Sequence, residues 1–395
     1  MAQQTSGTGK LMDKYGKAVR HEWAIDWDFL TVNHGSFGAT PKVVLAAQAE
    51  WRRRLEAQPS RFMRAVLPDA LRDAAARLAQ FLNVDGKDLA FVVNATQGCN
   101  AVLRSLRLKG GDEIVVLSHG YGAVRNTVRY VTGRAGARMV DVFVPFPRPH
   151  PDAIVANLQA VLTPGTRLAV LDHITSGSAL VMPLQRMVEA CHAAGVPVLV
   201  DGAHGPGQVT LDLRALNADW YAGNCHKWLN APKGCAFLHA RPDRQEDLHP
   251  VTISHGYDKG FLAEFDWTGT WDPSAYLCTT DAIAFHERLG GEAVRARNIA
   301  LAAEGATLLA GRLGTETGAG NELSGSMGVV RLPLTGEITA ERGQALRQRF
   351  LDAGTDVPIH VQADAAWLRI SAAAYNELED YTKLADIAAK VVAQE

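Results

Sequence analysis

Between residues 89 and 201 the sequence alternates short apolar runs with longer stretches of helical character, and this alternation restricts the fold more than any other feature. LAFVV (89–93), EIVVL (113–117), ARMVDVFV (137–144), RLAVLDH (167–173) and VPVLVD (196–201) read as strands. ATQGCNAVLRSLR (95–107), AVRNTVRYVTGR (123–134), PDAIVANLQAVL (151–162) and PLQRMVEACHAAG (183–195) read as helices, the last ended by Gly195. Short, near-continuous apolar strands separated by helices belong to a parallel sheet covered on both faces. The chain is therefore expected to be α/β, with a mainly parallel sheet and helices on each side. Ligands in such sheets sit outside the carboxyl ends of the strands. That rule makes Asn94, Thr96, His119, Tyr121, His173, Ser176, Asp201 and His204 the first candidates for a site.

The flanks differ. Residues 1–40 look irregular and carry Trp23, Trp27 and Phe29; helices are expected over 43–57 and 68–82. After about residue 275 long helical stretches (281–314) lead to GVVRLPL (328–334) and a helix near 339–352. Two short strands, VPIHVQ and AWLRIS, and a last helix (379–393) follow. The expected division is an N-terminal segment 1–40, a large domain 41–275 and a smaller α+β domain 276–395.

Of the 395 residues, 47% are apolar and 21% charged, the proportions of an ordinary globular protein. Forty basic against 42 acidic residues provide no broad field for nucleic acid or an anionic membrane, so any anion must be held locally. No apolar run reaches the roughly 18 residues of a membrane span, and MAQQTSGTGKLMDKYGK lacks the apolar core of a signal peptide. Five scattered cysteines without a CxxC pair read as reduced, structural thiols of a cytoplasmic protein. No metal-binding spacing such as HExxH occurs, and GPG (205–207) lacks the spacing of a dinucleotide fingerprint.

The most informative stretch runs from 196 to 240. Asp201 ends a buried strand, where a carboxylate needs a cationic or hydrogen-bonding partner. Lys227 lies 26 residues on, between the strand-like WYAG (220–223) and a Pro-Lys-Gly turn. A lysine in a packed, aromatic-flanked loop can lose its charge and act as an amine nucleophile. A buried Asp with a buried Lys is what a pyridoxal 5'-phosphate site requires: the acid for the pyridine nitrogen, the amine for covalent attachment. From spacing alone, a plain buried ion pair or a surface lysine stands as the competing reading.

NHGSFG (33–38), NATQG (94–98), HGYGAV (119–124), DHITS (172–176), VDGAHGPG (200–207), GNCHKWLNAPKGCAFL (223–238), EFDWTGTWDPSAYL (264–277) and LRIS (368–371) decide the matter. Together they resemble the class V, fold type I enzymes that depend on pyridoxal 5'-phosphate. The similarity is strongest to the group of isopenicillin N epimerase, L-cysteine desulfhydrases and ergothioneine-pathway C–S lyases. The resemblance implies Lys227 as the attachment lysine and Asp201 as the partner of the pyridine nitrogen. It implies His204, and more weakly Ser176, at the cofactor's phenolic oxygen, with Tyr121 stacked on its face. The phosphate is expected on free backbone N–H groups at Ala95 and Thr96, a helix N-terminus, with His226 and Asn224. Gly269 and Thr270 resemble a pair supplied by the neighbouring subunit, implying a homodimer with shared sites. Arg369 is expected to fork onto the substrate α-carboxylate, with Asn33 and His34 on the substrate side and His255 and Tyr257 at the mouth. No cysteine matches the catalytic thiol of the desulfurases. The implied activity is removal of an amino acid's α-proton, leading to C–S lysis of cysteine or an S-substituted cysteine. Epimerisation and transamination are the alternatives within the family, and a non-catalytic binding protein the alternative outside it.

Overall fold

The structure is a computed structural model that describes residues 14–395. Residues 1–13, which belong to the expected N-terminal segment and to the stretch read for a signal peptide, lie outside the described residues.

Seven strands form the main sheet: β1 (Leu89–Val92), β2 (Glu113–Leu117), β3 (Arg138–Val142), β4 (Thr166–Asp172), β5 (Val198–Gly202), β6 (Trp220–Asn224) and β7 (Ala236–Ala240). Their spatial order is β1-β7-β6-β5-β4-β2-β3. The pairs β3–β2, β2–β4, β4–β5 and β5–β6 are parallel; β7 runs antiparallel to both β6 and β1. Every residue of β1, β2, β5, β6 and β7 is buried, as expected of strands covered on both faces. The sequence reading did not single out β7. Its five residues follow the lysine loop too closely to look like a separate element.

The first helices are α1 (Lys42–Ala57), α2 (Leu67–Leu82), α3 (Ala95–Ser105), α4 (Gly122–Ala135), α5 (Pro151–Val161) and α6 (Leu184–Ala193). Those between strands supply the crossover connections that parallel neighbours require. One apolar cluster, with Leu78, Val115, Leu171, Val200 and Phe237, fills one face of the sheet. A second, with Val102, Ile114, Val170 and Leu238, fills the other.

A smaller antiparallel sheet follows, from β8 (Met327–Arg331), β9 (Ile359–Gln362) and β10 (Ala365–Ser371), ordered β8-β10-β9. It comes after α7 (Thr279–Arg288) and packs with α8 (Glu292–Leu313), α9 (Ala340–Asp352) and α10 (Leu378–Val392) around a third cluster containing Leu309, Phe350, Leu368 and Tyr381. The segment before α1 is fastened to this unit: Ser371 N–H donates to Val32 O (2.7 Å) and Leu30 N–H to Gly354 O (2.9 Å). Among the described residues no helix is long and apolar enough to cross a membrane.

Candidate active site

Strands β1, β2, β4, β5 and β6 point the same way, so the residues after them share one edge of the sheet. There they enclose a cavity of about 240 Å³ lined by Asn94–Thr96, Tyr121, Asp172, Ser176, Asp201, His204, Asn224, His226 and Lys227, among others.

Lys227 sits in the loop 225–235 that joins β6 to β7. Cys225 N–H and His226 N–H both donate to Cys235 O (3.0 and 3.1 Å), and Ala231 N–H returns to Cys225 O (3.1 Å). The loop is thus closed at its base and holds Lys227 over the sheet. Two glycines let neighbouring backbone come this close. A Cβ on Gly38 (φ +69°) would lie 2.0 Å from His226 O, and one on Gly207 (φ +80°) 2.4 Å from Trp228 O. Only glycine adopts these positive φ values freely and leaves that space empty.

The Lys227 amine lies 3.1 Å from His204 Nε2. Burial, with the charge of Arg369 adding to it, pushes its pKa down to about 8, while Asp201 opposes the shift. His204 is held well below the usual imidazole range, mainly by burial. Its Nδ1 accepts from Trp228 Nε1–H at 3.3 Å.

Asp201 is buried and accepts from Ala203 N–H at 3.1 Å. Burial raises its pKa, against that hydrogen bond and the Lys227 charge. Asp172, which the sequence reading did not select, also lines the cavity. It pairs in register with Asp201 across β4–β5 and accepts from Tyr121 N–H at 3.2 Å. Burial first, and the Asp201 charge second, hold its pKa well above the ordinary carboxylate range. The signal was present in the sequence: β4 ends in Asp172 and β5 carries Asp201 one residue before its end. Tyr121 is 44% exposed and caps the N-terminus of α4 over the opening.

At α3 the structure corrects one expectation. Ala95 N–H is not free for an anion, because it donates to Asn224 Oδ1 at 2.8 Å. Gln97 N–H is likewise taken, by the Asn94 side chain (2.8 Å). What remains for a ligand is the Thr96 backbone N–H and hydroxyl, the Asn224 amide NH2 and the positive end of α3. His226 Nδ1 faces Cys235 O at 2.9 Å, which leaves Nε2 toward the cavity.

Behind Ser36 and Ser176, Arg369 on β10 is buried. Its terminal nitrogens donate to Ser176 O (2.7 Å), Ser176 Oγ (3.2 Å), Ser36 Oγ (2.8 Å) and Asn33 Oδ1 (3.1 Å). Its Nε is buried without a partner. Asn33 Nδ2 donates in turn to Asp356 (2.8 Å), which Arg347 grips with two hydrogen bonds. Ser176 is therefore engaged by Arg369. His34 does not line the cavity: it is buried, and its two nitrogens face Tyr375 Oη (2.8 Å) and Lys227 O (3.0 Å). Gly269 and Thr270, and the weaker candidates His255 and Tyr257, are also outside the lining of this chain's own cavity.

This donor set fits pyridoxal 5'-phosphate. An amine of lowered pKa, a buried acid without a salt-bridge partner, and hydrogen-bond donors at a helix N-terminus converge on one cavity. Among the described residues no three metal-ligating side chains gather.

The family model described as Aminotransferase class-V matches residues 38–384. "Putative L-cysteine desulfhydrase 1" of Oryza sativa subsp. japonica is 37% identical, over 92% of this chain and 83% of the relative. Isopenicillin N epimerase of Streptomyces clavuligerus is 34% identical, over 93% and 96%. Among solved structures, the cysteine desulfurase CsdA of Escherichia coli superposes with TM-score 0.79 at 21% identity, over 95% of this chain and 98% of that one. The cystine C-S lyase C-DES, solved with its product cysteine persulfide, gives 0.78 at 22%, over 93% and 98%. At these identities the two solved structures speak for the fold.

Proposed function

The chain belongs to the class V aminotransferase family, and from that premise we propose that it is a C–S lyase acting on cysteine or an S-substituted cysteine. It is an enzyme with pyridoxal 5'-phosphate as its cofactor. The bound cofactor supplies an electron sink for charge developing at the substrate Cα. The chain's own residues do the rest. Lys227 carries the cofactor and, once free as an amine, takes the α-proton as general base. With the cofactor bound, Asp201 would hold a proton at the ring nitrogen, and the His204 Nε2–H, which faces the Lys227 amine in the coenzyme-free chain, would donate to the phenolic oxygen with Ser176 nearby. Tyr121 covers the ring face. Thr96, Asn224 and His226 hold the phosphate, beside Ala95. Arg369, positioned by Asn33, receives the α-carboxylate.

The observation that carries the reading is Lys227, half-buried, the one lysine among the described residues lining the cavity, with Asp201 acting on its charge. Elimination of a sulfur group from Cβ asks for one base; it yields pyruvate, ammonia and a thiol. Epimerisation asks for a further acid on the other face of Cα. We further propose a cytoplasmic homodimer in which Gly269 and Thr270 complete the partner's phosphate site. Phe37 and Tyr121, exposed at the cavity mouth, offer apolar surface for that contact.

A panel of L-cysteine, S-conjugates and sulfoxides, scored for pyruvate, keto acid and Cα racemisation, tests the reading. Stoichiometric pyruvate supports lysis. Deuterium exchange at Cα with D/L interconversion and no pyruvate replaces it with epimerisation.

A further inference from the structure

We propose that Trp228 is a positioning residue that fixes His204 as its Nε2–H tautomer and so makes His204 a hydrogen-bond donor to the Lys227 amine. The inference rests on Lys227 being the attachment amine.

An indole N–H donates and never accepts. Trp228 Nε1 lies 3.3 Å from His204 Nδ1, so Nδ1 is the bare, accepting nitrogen. A neutral imidazole then carries its single proton on Nε2. That nitrogen lies 3.1 Å from Lys227 Nζ. An Nε2–H bond pointing at Nζ needs a lone pair there, which an amine has and an ammonium lacks. The indole thereby favours the form of Lys227 that attacks an aldehyde. With the opposite tautomer, His204 would accept from Lys227 and stabilise the ammonium instead.

The indole is well placed to enforce this. Trp228 is 5% exposed and follows Lys227 directly, so donor and amine hang from consecutive residues of one closed loop. Its ring packs 5.0 Å from that of His34. His34 faces Lys227 O at 3.0 Å, so the same contact holds the lysine's backbone. This gives His34 a part outside the cavity. Other charges bear on the pair: Asp201 from β5 favours the ammonium, while Arg369 from β10 opposes it. Arg369 and His226 both disfavour a cationic His204. Trp228 adds the orientation that these charges do not provide.

The test uses the full chain freed of coenzyme and labelled with 15N-histidine, with His204 assigned by its loss in His204→Gln. At pH 9 the spectrum should show His204 with a bare Nδ1 and a protonated Nε2. In Trp228→Phe the tautomers should mix, and the pH midpoint for chemical labelling of Lys227 should rise by about one unit, roughly the worth of one hydrogen bond. A protonated Nδ1 in the unmutated chain overturns the proposal, and that measurement does not depend on the variant folding. An unchanged labelling midpoint in a folded Trp228→Phe overturns it as well. Loading with pyridoxal 5'-phosphate is followed in parallel. A chain that never attaches the coenzyme at Lys227 overturns the functional reading above. The wrong tautomer in a chain that does attach it overturns this inference alone.

Discussion

Asp172 and Asp201 occupy the same register position on adjacent parallel strands, and both carboxylates are buried against one cavity. Side chains at matched positions of neighbouring strands lie about 5 Å apart. Like charges at that separation, out of water, resist joint ionisation. In the proposed cofactor complex Asp201 would face a pyridinium, whereas Asp172 is favoured as an anion by the Tyr121 N–H and, less, by the charge of Arg125.

Replacing Asp172 by Asn should therefore stabilise the coenzyme-free chain. The Asn carbonyl keeps the bond from Tyr121 and removes the repulsion. The sign follows from the raised folded-state pKa of Asp172. Stability is lost as pH rises from about 3.9, where the unfolded carboxyl ionises, through the raised value. The variant should match the original at the acid end and exceed it in stability at pH 8. Denaturant unfolding at several pH values checks this; equal stability at pH 8 contradicts it.

Coenzyme attachment should follow the depressed pKa of Lys227. With a value of about 8, its neutral fraction grows from pH 6 to 9 and then levels off. An ordinary lysine would keep gaining to beyond about pH 10. Stopped-flow absorbance of the coenzyme-free chain mixed with pyridoxal 5'-phosphate reads the profile directly.

Gly38→Ala should cost at least about 2 kcal/mol and lower coenzyme occupancy. The added Cβ meets His226 O at 2.0 Å, and φ is +69°. Because the obstructed atom belongs to the loop of Lys227, stability and occupancy should fall together. A destabilised variant with full occupancy would show that the loop absorbs the clash elsewhere.

Arg369→Lys should raise KM for the amino acid by roughly 10- to 100-fold with a smaller change in kcat. A lysine keeps the charge and loses the planar fork. Steady-state pyruvate formation separates the two constants.

Much of this was legible in the chain. The strands that carry or precede Asp201, His204 and Tyr121 are short apolar runs, Lys227 follows the strand-like WYAG, and the parallel rule brings their ends together. What sequence left open depends on distance in space. Ala95 stands at a helix start, yet its N–H is spent on Asn224, 129 positions away in the chain. His34 belongs to a motif of the site but turns inward to Tyr375 and Lys227 O. Asp172 passed unnoticed because one Asp at a strand end is ordinary; its meaning comes from facing a second one. β7 was hidden by its brevity and by the loop before it.

The most direct test of the account is reduction of the loaded protein with borohydride, followed by peptide mass mapping. The account predicts a stable pyridoxyl adduct on the peptide containing Lys227, and loss of both adduct and visible absorbance in Lys227→Ala. A chain that stays colourless after incubation with pyridoxal 5'-phosphate, or that carries the adduct on another lysine, would contradict it.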